Sequence, residues 1–434
     1  MSQKKIDSKE VVARIFGTKP AAENSSQEET VAALLAQRKK KHSDPSGEQT
    51  GKRSFFSFGK KSNEFGGIDI GNDAIKFVLL SQEQNKLKMK DAQIERIVAL
   101  DAGGKPEDRE REILNGLVKI ASRVKAKTRV GIALNDPSLY ADSMMLPRGT
   151  EGELKEKVRK ELSEKHLIDP NTSFFDFVTN GAEPSSGTQN VFVVSAPREL
   201  VYRQFEMTQR AGFKVLAVET NALASLYALR RVSRWEPNDR ILILDIGSHF
   251  SNLSVAIGAR VVFNRVIPIA GERFTRAVQN VLQCDRERAE QLKIQYGLKE
   301  LQELRASEGN PARILSEGQR VAQALITEVE ELAGEVERSF QFAFSRQTGE
   351  ENVRLSGIFL LGGSARLLML KEHLSKRWEA PIRNTSLWEG IHFDERAIER
   401  EFLDGANDTL SIALGLALRV SEWKVLPFGL GMPG

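Results

Sequence analysis

The chain has 434 residues, 40% of them hydrophobic and 28% charged, with a formal net charge of +4, which is ample apolar material for a globular body of several subdomains. No stretch approaches the roughly 18 to 20 uninterrupted apolar residues that cross a bilayer, and the first residues are polar and charged where a signal peptide is apolar, so a cytoplasmic protein is expected. Cys284 is the sole cysteine, which excludes an internal disulfide, and His42, His166, His249, His373 and His392 lie too far apart in sequence for the spacing of a structural metal site.

Residues 1–62 hold 13 Lys/Arg against 7 Asp/Glu, a net +6 that leaves −2 for everything after. They are rich in Ser, Gln, Lys and Glu, contain Ser43-Asp44-Pro45-Ser46-Gly47, and lack sustained apolar periodicity, so they read as a disordered basic tail. Two short stretches have helical spacing: Val11, Val12, Ile15 and Phe16, and residues 28–41, where Val31, Leu34 and Leu35 follow a Ser26/Glu29 capping box. They are candidates for folding on a further protein, against the plainer reading of a solvated linker. In 53–61, Phe55, Phe56 and Phe58 stand among basic residues, a pattern suited to an anionic membrane surface or to docking on the domain that follows.

Ordered sequence begins near Phe65. Strand-like runs at 67–70, 75–80, 130–134, 191–195, 241–246 and 356–361 alternate with helical patterns, the signature of an α/β fold. A helix over 314–344 carries Leu325, Val329, Leu332, Val336 and Phe340 at steps of three or four, one stripe facing a core.

The first segment with chemistry in it is Gly66-Gly67-Ile68-Asp69-Ile70-Gly71-Asn72-Asp73-Ala74-Ile75-Lys76. An apolar strand, an Asp at its end, a Gly turn and a second strand make a hairpin whose turn presents backbone N–H groups, with a carboxylate able to hold a hydrated magnesium ion and a lysine able to meet phosphate. Alone this marks no more than a turn. Its repetition at Ile241-Leu242-Ile243-Leu244-Asp245-Ile246-Gly247-Ser248-His249-Phe250-Ser251-Asn252-Leu253 is more specific, because two such hairpins can face each other across a polyphosphate. A third element, Ile358-Phe359-Leu360-Leu361-Gly362-Gly363-Ser364-Ala365-Arg366, runs from a buried strand into a Gly-Gly turn that lets backbone approach a flat ring or ribose.

In this order the three elements resemble the two phosphate motifs and the adenosine motif of the actin superfamily. The resemblance implies a two-lobed fold of duplicated sheet-and-helix subdomains that binds ATP with Mg2+. It assigns the nucleotide to Asp69, Gly71, Asn72, Lys76, Asp245, Gly247, Ser248, Gly271, Gly362, Gly363 and Ser364, with Asp69 and Asp245 toward the metal. Glu290 and Lys293, three apart on one helix face, resemble the pair that contacts ribose and base. Glu219, in Glu219-Thr220-Asn221-Ala222, resembles an acid that orients water near the γ-phosphate, the plainer reading being a helix-start glutamate.

Within the superfamily the chain is most similar to the PilM and FtsA branch, and there to the PilM family. The likeness lies in Phe55-Phe56-Ser57-Phe58-Gly59-Lys60-Lys61 before the first hairpin, Ile269-Ala270-Gly271-Glu272-Arg273-Phe274-Thr275 after the second, Glu337-Arg338-Ser339, and Ala413-Leu414-Gly415-Leu416-Ala417-Leu418-Arg419. It covers about residues 55–420. The expected organisation is a tail at 1–62; a first lobe at 63–139 and 203–236 around an inserted α+β subdomain at 140–202; and a second lobe at 237–276 and 353–434 around an outer subdomain at 277–352. Inside the insertion a helix is expected at 151–165, with strands at 173–178 and 190–195.

The family resemblance implies an ATP-binding platform of type IV pilus assembly that grips the N-terminal peptide of a PilN-like inner-membrane protein, works beside pilus motor and platform proteins, and lies peripheral to the inner membrane. ATP would be chiefly a structural ligand, with at most slow hydrolysis. Two positions depart from the family pattern: His249 puts a bulky ring, and Asn72-Asp73 a negative charge, beside the phosphates. An FtsA-like filament protein is the first alternative, disfavoured because Pro427, Pro433 and the glycines of 423–434 break the amphipathic C-terminal helix it needs. A small-molecule kinase is the second, and lacks a recognisable sugar-binding constellation. Nucleic-acid binding would rest on the tail's modest charge alone.

Overall fold

The computed structural model describes residues 63–83, 86–97, 105–165, 168–169, 171–182, 187–258, 260–306, 314–349 and 353–422. The expected tail at 1–62, with its helical stretches and aromatic-basic cluster, and the stretch 423–434 lie outside the described residues.

One supersecondary pattern occurs twice. In the first, β1 (Glu64–Ile70), β2 (Ala74–Glu83) and β3 (Lys86–Arg96) form an antiparallel meander, and β1 also pairs in parallel with β4 (Arg129–Leu134), which pairs in parallel with β8 (Lys214–Thr220). In the second, β9 (Arg240–Ile246), β10 (Ser251–Ile257) and β11 (Arg260–Ile267) form the meander, with β12 (Gly357–Leu361) parallel to β9. Duplicated sheets with helices between their strands give the expected two-lobed α/β fold.

The central strands are apolar on both faces because both faces are covered. In β9, Leu242, Leu244 and Ile246 enter the core built around α8 (Glu317–Thr348), while Ile241 and Ile243 enter the one built around α11 (Ser411–Glu422). The α8 stripe of Leu325, Val329, Leu332, Val336 and Phe340 is buried as expected. The helix starts later than the sequence suggested, at a Ser316/Gln319 capping box worth about 1 kcal/mol, and Ile314 lies outside it.

β3 carries no recognisable apolar run. Its sequence alternates Lys86, Lys88 and Lys90 with Leu87 and Met89, an amphipathic edge strand whose outer side is covered by a short bridge to His392.

The inserted subdomain comprises β5 (Tyr140–Pro147), α2 (Glu151–Glu164), β6 (Ser173–Ala182) and β7 (Thr188–Pro197). α2 begins at a Thr150/Glu153 capping box and buries Leu154, Val158 and Leu162 on Phe175, Val191 and Val193. Two placements differ from the expected organisation. The insertion, which leaves and re-enters the chain of the first lobe, joins its sheet to the second: Phe263 of β11 pairs with Asp142 of β5, making a seven-stranded sheet in the order β12-β9-β10-β11-β5-β7-β6. The join is reinforced by Arg346, in the last turn of α8, which pairs with Asp142 at 2.6 Å and donates to the Ser143 carbonyl at 2.8 Å.

The second concerns α11, expected in the second lobe. It packs on β1 and β4 of the first sheet and on α4 (Asn221–Val232). Glycines permit this approach: a Cβ on Gly67 would strike the Ala413 carbonyl, and one on Gly415 the Ala224 carbonyl.

Candidate functional site

Asp69 and Lys76 face each other across the β1–β2 register, and Lys76 Nζ lies 3.0 Å from the Asp69 carboxylate. Burial pulls the lysine's pKa down, but the charge and hydrogen bond of Asp69, with Asp245 and Asp73 behind it, outweigh that and raise it, so the ammonium stays charged. Asp245 ends β9 as Asp69 ends β1. Burial pushes its carboxyl up to about 6, helped by the charge of Asp69 and opposed by Lys76 and a hydrogen bond from Asn221. The two repeated hairpins thus bring two carboxylates and a lysine within mutual electrostatic reach.

Asn221 was not singled out from sequence. It is the first residue of α4, placed by the Thr220 N-cap at the end of β8, and its Nδ2 donates to Asp245 Oδ2 at 3.5 Å. Its Oδ1 is buried with no hydrogen-bond partner among the described residues. Its sequence signal is a polar residue opening an otherwise apolar helix directly after a strand.

The second hairpin turn is held by its neighbours. Gly247 N–H donates to the Phe250 carbonyl at 3.1 Å; Ser364 Oγ and Gly271 N–H donate to the Gly247 carbonyl at 2.8 and 3.2 Å; and Glu272 N–H donates to the Ser248 carbonyl at 2.6 Å. Ser364 lies in a 3-10 turn (Gly363–Arg366) that follows Gly362, whose φ of 87° suits glycine. A Cβ on Gly362 would strike Asp245 Oδ1 and the Ile246 carbonyl. The first turn is fixed by Arg109 of α1 (Pro106–Ala121), which donates to the Asn72 carbonyl and Oδ1 at 2.9 and 3.0 Å, and by Gly71 N–H on the Ala74 carbonyl at 3.0 Å.

Gly271 opens α5 (Gly271–Leu282), which packs beside α6 (Arg286–Tyr296). Lys293 of α6 is buried and donates to the Gly271 carbonyl at 3.3 Å, Thr275 Oγ1 at 2.9 Å and Glu290 Oε2 at 2.7 Å. Burial works to raise the Glu290 pKa, but Lys293 by charge and hydrogen bond, Thr275 and Arg286 together lower it.

Glu219 lies apart from this cluster. It pairs at 2.8 Å with Arg419 of α11, whose guanidinium stands over the Tyr227 ring. The structure therefore brings together Asp69, Lys76 and Asp245; joins Gly247, Gly271 and Ser364 by hydrogen bonds; and ties Gly271 to Glu290 and Lys293.

The donor set suits a hydrated magnesium ion, which keeps most of its waters and takes one or two carboxylates: Asp245, with Asp69 and the partnerless Asn221 Oδ1, can accept from such waters. Among the described residues no group of three His, Cys, Asp or Glu forms a direct cage.

Residues 242–395 match the family model of the cell division protein FtsA. The FtsA of Pseudomonas aeruginosa is 26% identical over 181 residues, which span 40% of this chain and 42% of that protein, so the likeness reaches less than half the length of the relative. A solved structure described as the PilM-PilN type IV pilus biogenesis complex is 25% identical, with a TM-score of 0.65, over 82% of this chain and 98% of the matched one. Residues 67–305, more than half of the chain, match the family model of type IV pilus assembly protein PilM, and the chain belongs to that family.

Proposed function

We propose that this protein is a nucleotide-binding platform of type IV pilus assembly, which holds ATP and Mg2+ between its paired hairpins and binds the N-terminal peptide of a PilN-like inner-membrane protein. The observation that supports the partner is the likeness to a chain of a solved PilM-PilN complex along 98% of that chain. The nucleotide is supported by the convergence of Asp69, Lys76, Asp245 and Asn221 beneath the Gly362 turn.

When bound, the metal would neutralise phosphate charge. The chain's residues do the rest: Lys76 supplies a permanent positive charge, Asp245 and Asp69 hold metal waters, the Gly362–Gly363 backbone lies against the nucleoside, and Glu290 with Lys293 reads ribose and base. ATP on this reading fixes the relation of the lobes and stabilises them by mass action. Any hydrolysis is slow, since Glu219 would have to leave Arg419 before orienting a water.

The peptide's place is the seam where α4 meets the insertion. Ala222 and Leu226 of α4 pack there on Ala141 and Phe192. Asp176, register partner of Val194, lies on the same face of the insertion's sheet. No helix among the described residues is long and apolar enough to cross a membrane, and attachment to the inner membrane would come through the partner, with pilus motor proteins as further contacts.

Calorimetric titration with Mg-ATP and with a synthetic PilN-type N-terminal peptide tests both halves. Binding of both is the expected result. Nucleotide binding without peptide binding would leave the filament or kinase alternatives, and peptide binding without nucleotide would leave a platform with a vestigial cleft.

A further inference from the structure

Asp73, His249 and Arg286, around the outer edge of the two hairpin turns, have no role in the function proposed above. Arg286, Glu290 and Lys293 stand at i, i+4 and i+7, on one face of α6. Lys293 and Glu290, assigned to the nucleoside, mark one end of this row. Arg286 marks the other, held by Glu272 at 2.8 Å. Its guanidinium pKa is raised first by the Glu272 hydrogen bond, against some burial, and further by the charges of Glu272, Asp73 and Glu290. Arg286 therefore stands within electrostatic reach of Asp73 at the outer edge of the turns.

Asp73 occupies that end from the opposite lobe. It sits at the tip of the first turn, with its carbonyl fixed by Ile97 N–H at 2.9 Å, and its carboxylate lies 3.9 Å from Nδ1 of His249 on the second turn. His249 is held in turn by Ser248 Oγ at 2.9 Å. Both side chains are about half exposed, so an incoming ligand can reach them. An anion is thus already placed beside His249, at the meeting of the two turns and within electrostatic reach of Arg286 and Lys76, where the terminal phosphate of a chain held between the hairpins would come.

We propose that Asp73 determines how many phosphates the cleft accepts: its carboxylate, beside His249 where the two turns meet, takes the place of a terminal phosphate, so the protein prefers a nucleoside diphosphate to a triphosphate. The inference rests on the nucleotide reading of the cleft. A diphosphate leaves the Asp73 contacts in place. A triphosphate brings its last charge against a fixed like charge at short range, in a partly desolvated cleft where such repulsion is only partly screened.

The test is calorimetric titration of the full chain with Mg-ADP and Mg-ATP at one ionic strength, for wild type, Asp73→Asn and Asp73→Ser. Wild type is expected to bind ADP more tightly than ATP. Either substitution should raise ATP affinity about 10-fold and change ADP affinity by less than about 2-fold, the size expected for one like charge removed at a half-exposed site. Adding His249→Asn to Asp73→Asn should remove much of that gain. If wild type and both single variants bind the two nucleotides in the same ratio, the role of Asp73 is overturned and the nucleotide reading stands. If none of them binds either nucleotide, the nucleotide reading falls and takes this inference with it.

Discussion

Arg346 and Asp142 lie 204 residues apart in the chain, yet their charged atoms are 2.6 Å apart. The contact carries a physical load, because the β5–β11 pairing it guards is a single register pair, and an isolated pair of edge strands is weak without side-chain support. Replacing Arg346 with Ala should cost about 1 kcal/mol, as expected for a partly exposed, well-directed pair. Faster hydrogen exchange in β5 and β11, with exchange in β9 and β12 unchanged, is the expected signature. Unchanged exchange in β5 would mean that the strand pairing holds the insertion unaided.

Asp245→Ala should abolish ATP binding while leaving the melting temperature unchanged or slightly raised, since the fold bears the cost of burying this carboxylate. Gly362→Val should also abolish binding, but with a loss of stability, because its branched side chain would strike Asp245 and the Ile246 carbonyl at a positive φ. Melting curves alongside titrations separate the two cases. Retained ATP affinity in both variants would remove the cleft assignment.

Lys293→Ala should destabilise the second lobe by about 2 kcal/mol, because it strips Glu290 of its cation and leaves the Gly271 carbonyl one donor short. Chemical denaturation measures this. Lys293→Met, which keeps the packing of the stem, should recover only part of the loss if the charge matters as argued.

Asp176 predicts a pH dependence. Although its side chain reaches solvent, crowding by protein pushes its carboxyl up to about 6, with Glu219 adding to the rise and the Phe177 N–H opposing it. The folded protein therefore holds this proton more tightly than the unfolded chain does. Stability should fall as pH rises from about 4 to about 6 and level off above, the reverse of a salt-bridged carboxylate. Asp245 contributes to the same window, so Asp176→Asn should reduce the slope without erasing it. A slope identical to wild type would place Asp176 in ordinary solvent.

Much of this was readable from residues because the informative elements are local. A strand, an acid and a glycine turn are contiguous, so Asp69 and Asp245 announced their hairpins, and the repetition announced the second lobe. Asn221 was not readable, because its place beside Asp245 depends on the end of β8 in the first sheet meeting the end of β9 in the second, a contact between separate chain segments. Glu219 stands only two residues before Asn221, yet its carboxylate pairs with Arg419 of α11, a contact between distant segments that local sequence does not predict. β3 was hidden because its lysines mask the alternation of a strand at a sheet edge. The attachment of the insertion to the second lobe depends on Phe263 meeting Asp142, which neither local sequence predicts.

The seat of α11 has a consequence for how the protein is made. The strands of the first lobe are synthesised early, yet the face of β1 that carries Gly67 and the small residues of α4 are covered only by a helix at Ser411–Glu422. While the ribosome adds the second lobe, that surface has no native cover, and unpaired apolar strands of this kind invite wrong partners. Ile241 and Ile243 of β9 share the core around α11, so both sheets complete their burial only when this helix emerges. A helix made late in synthesis thus closes surfaces of strands made early.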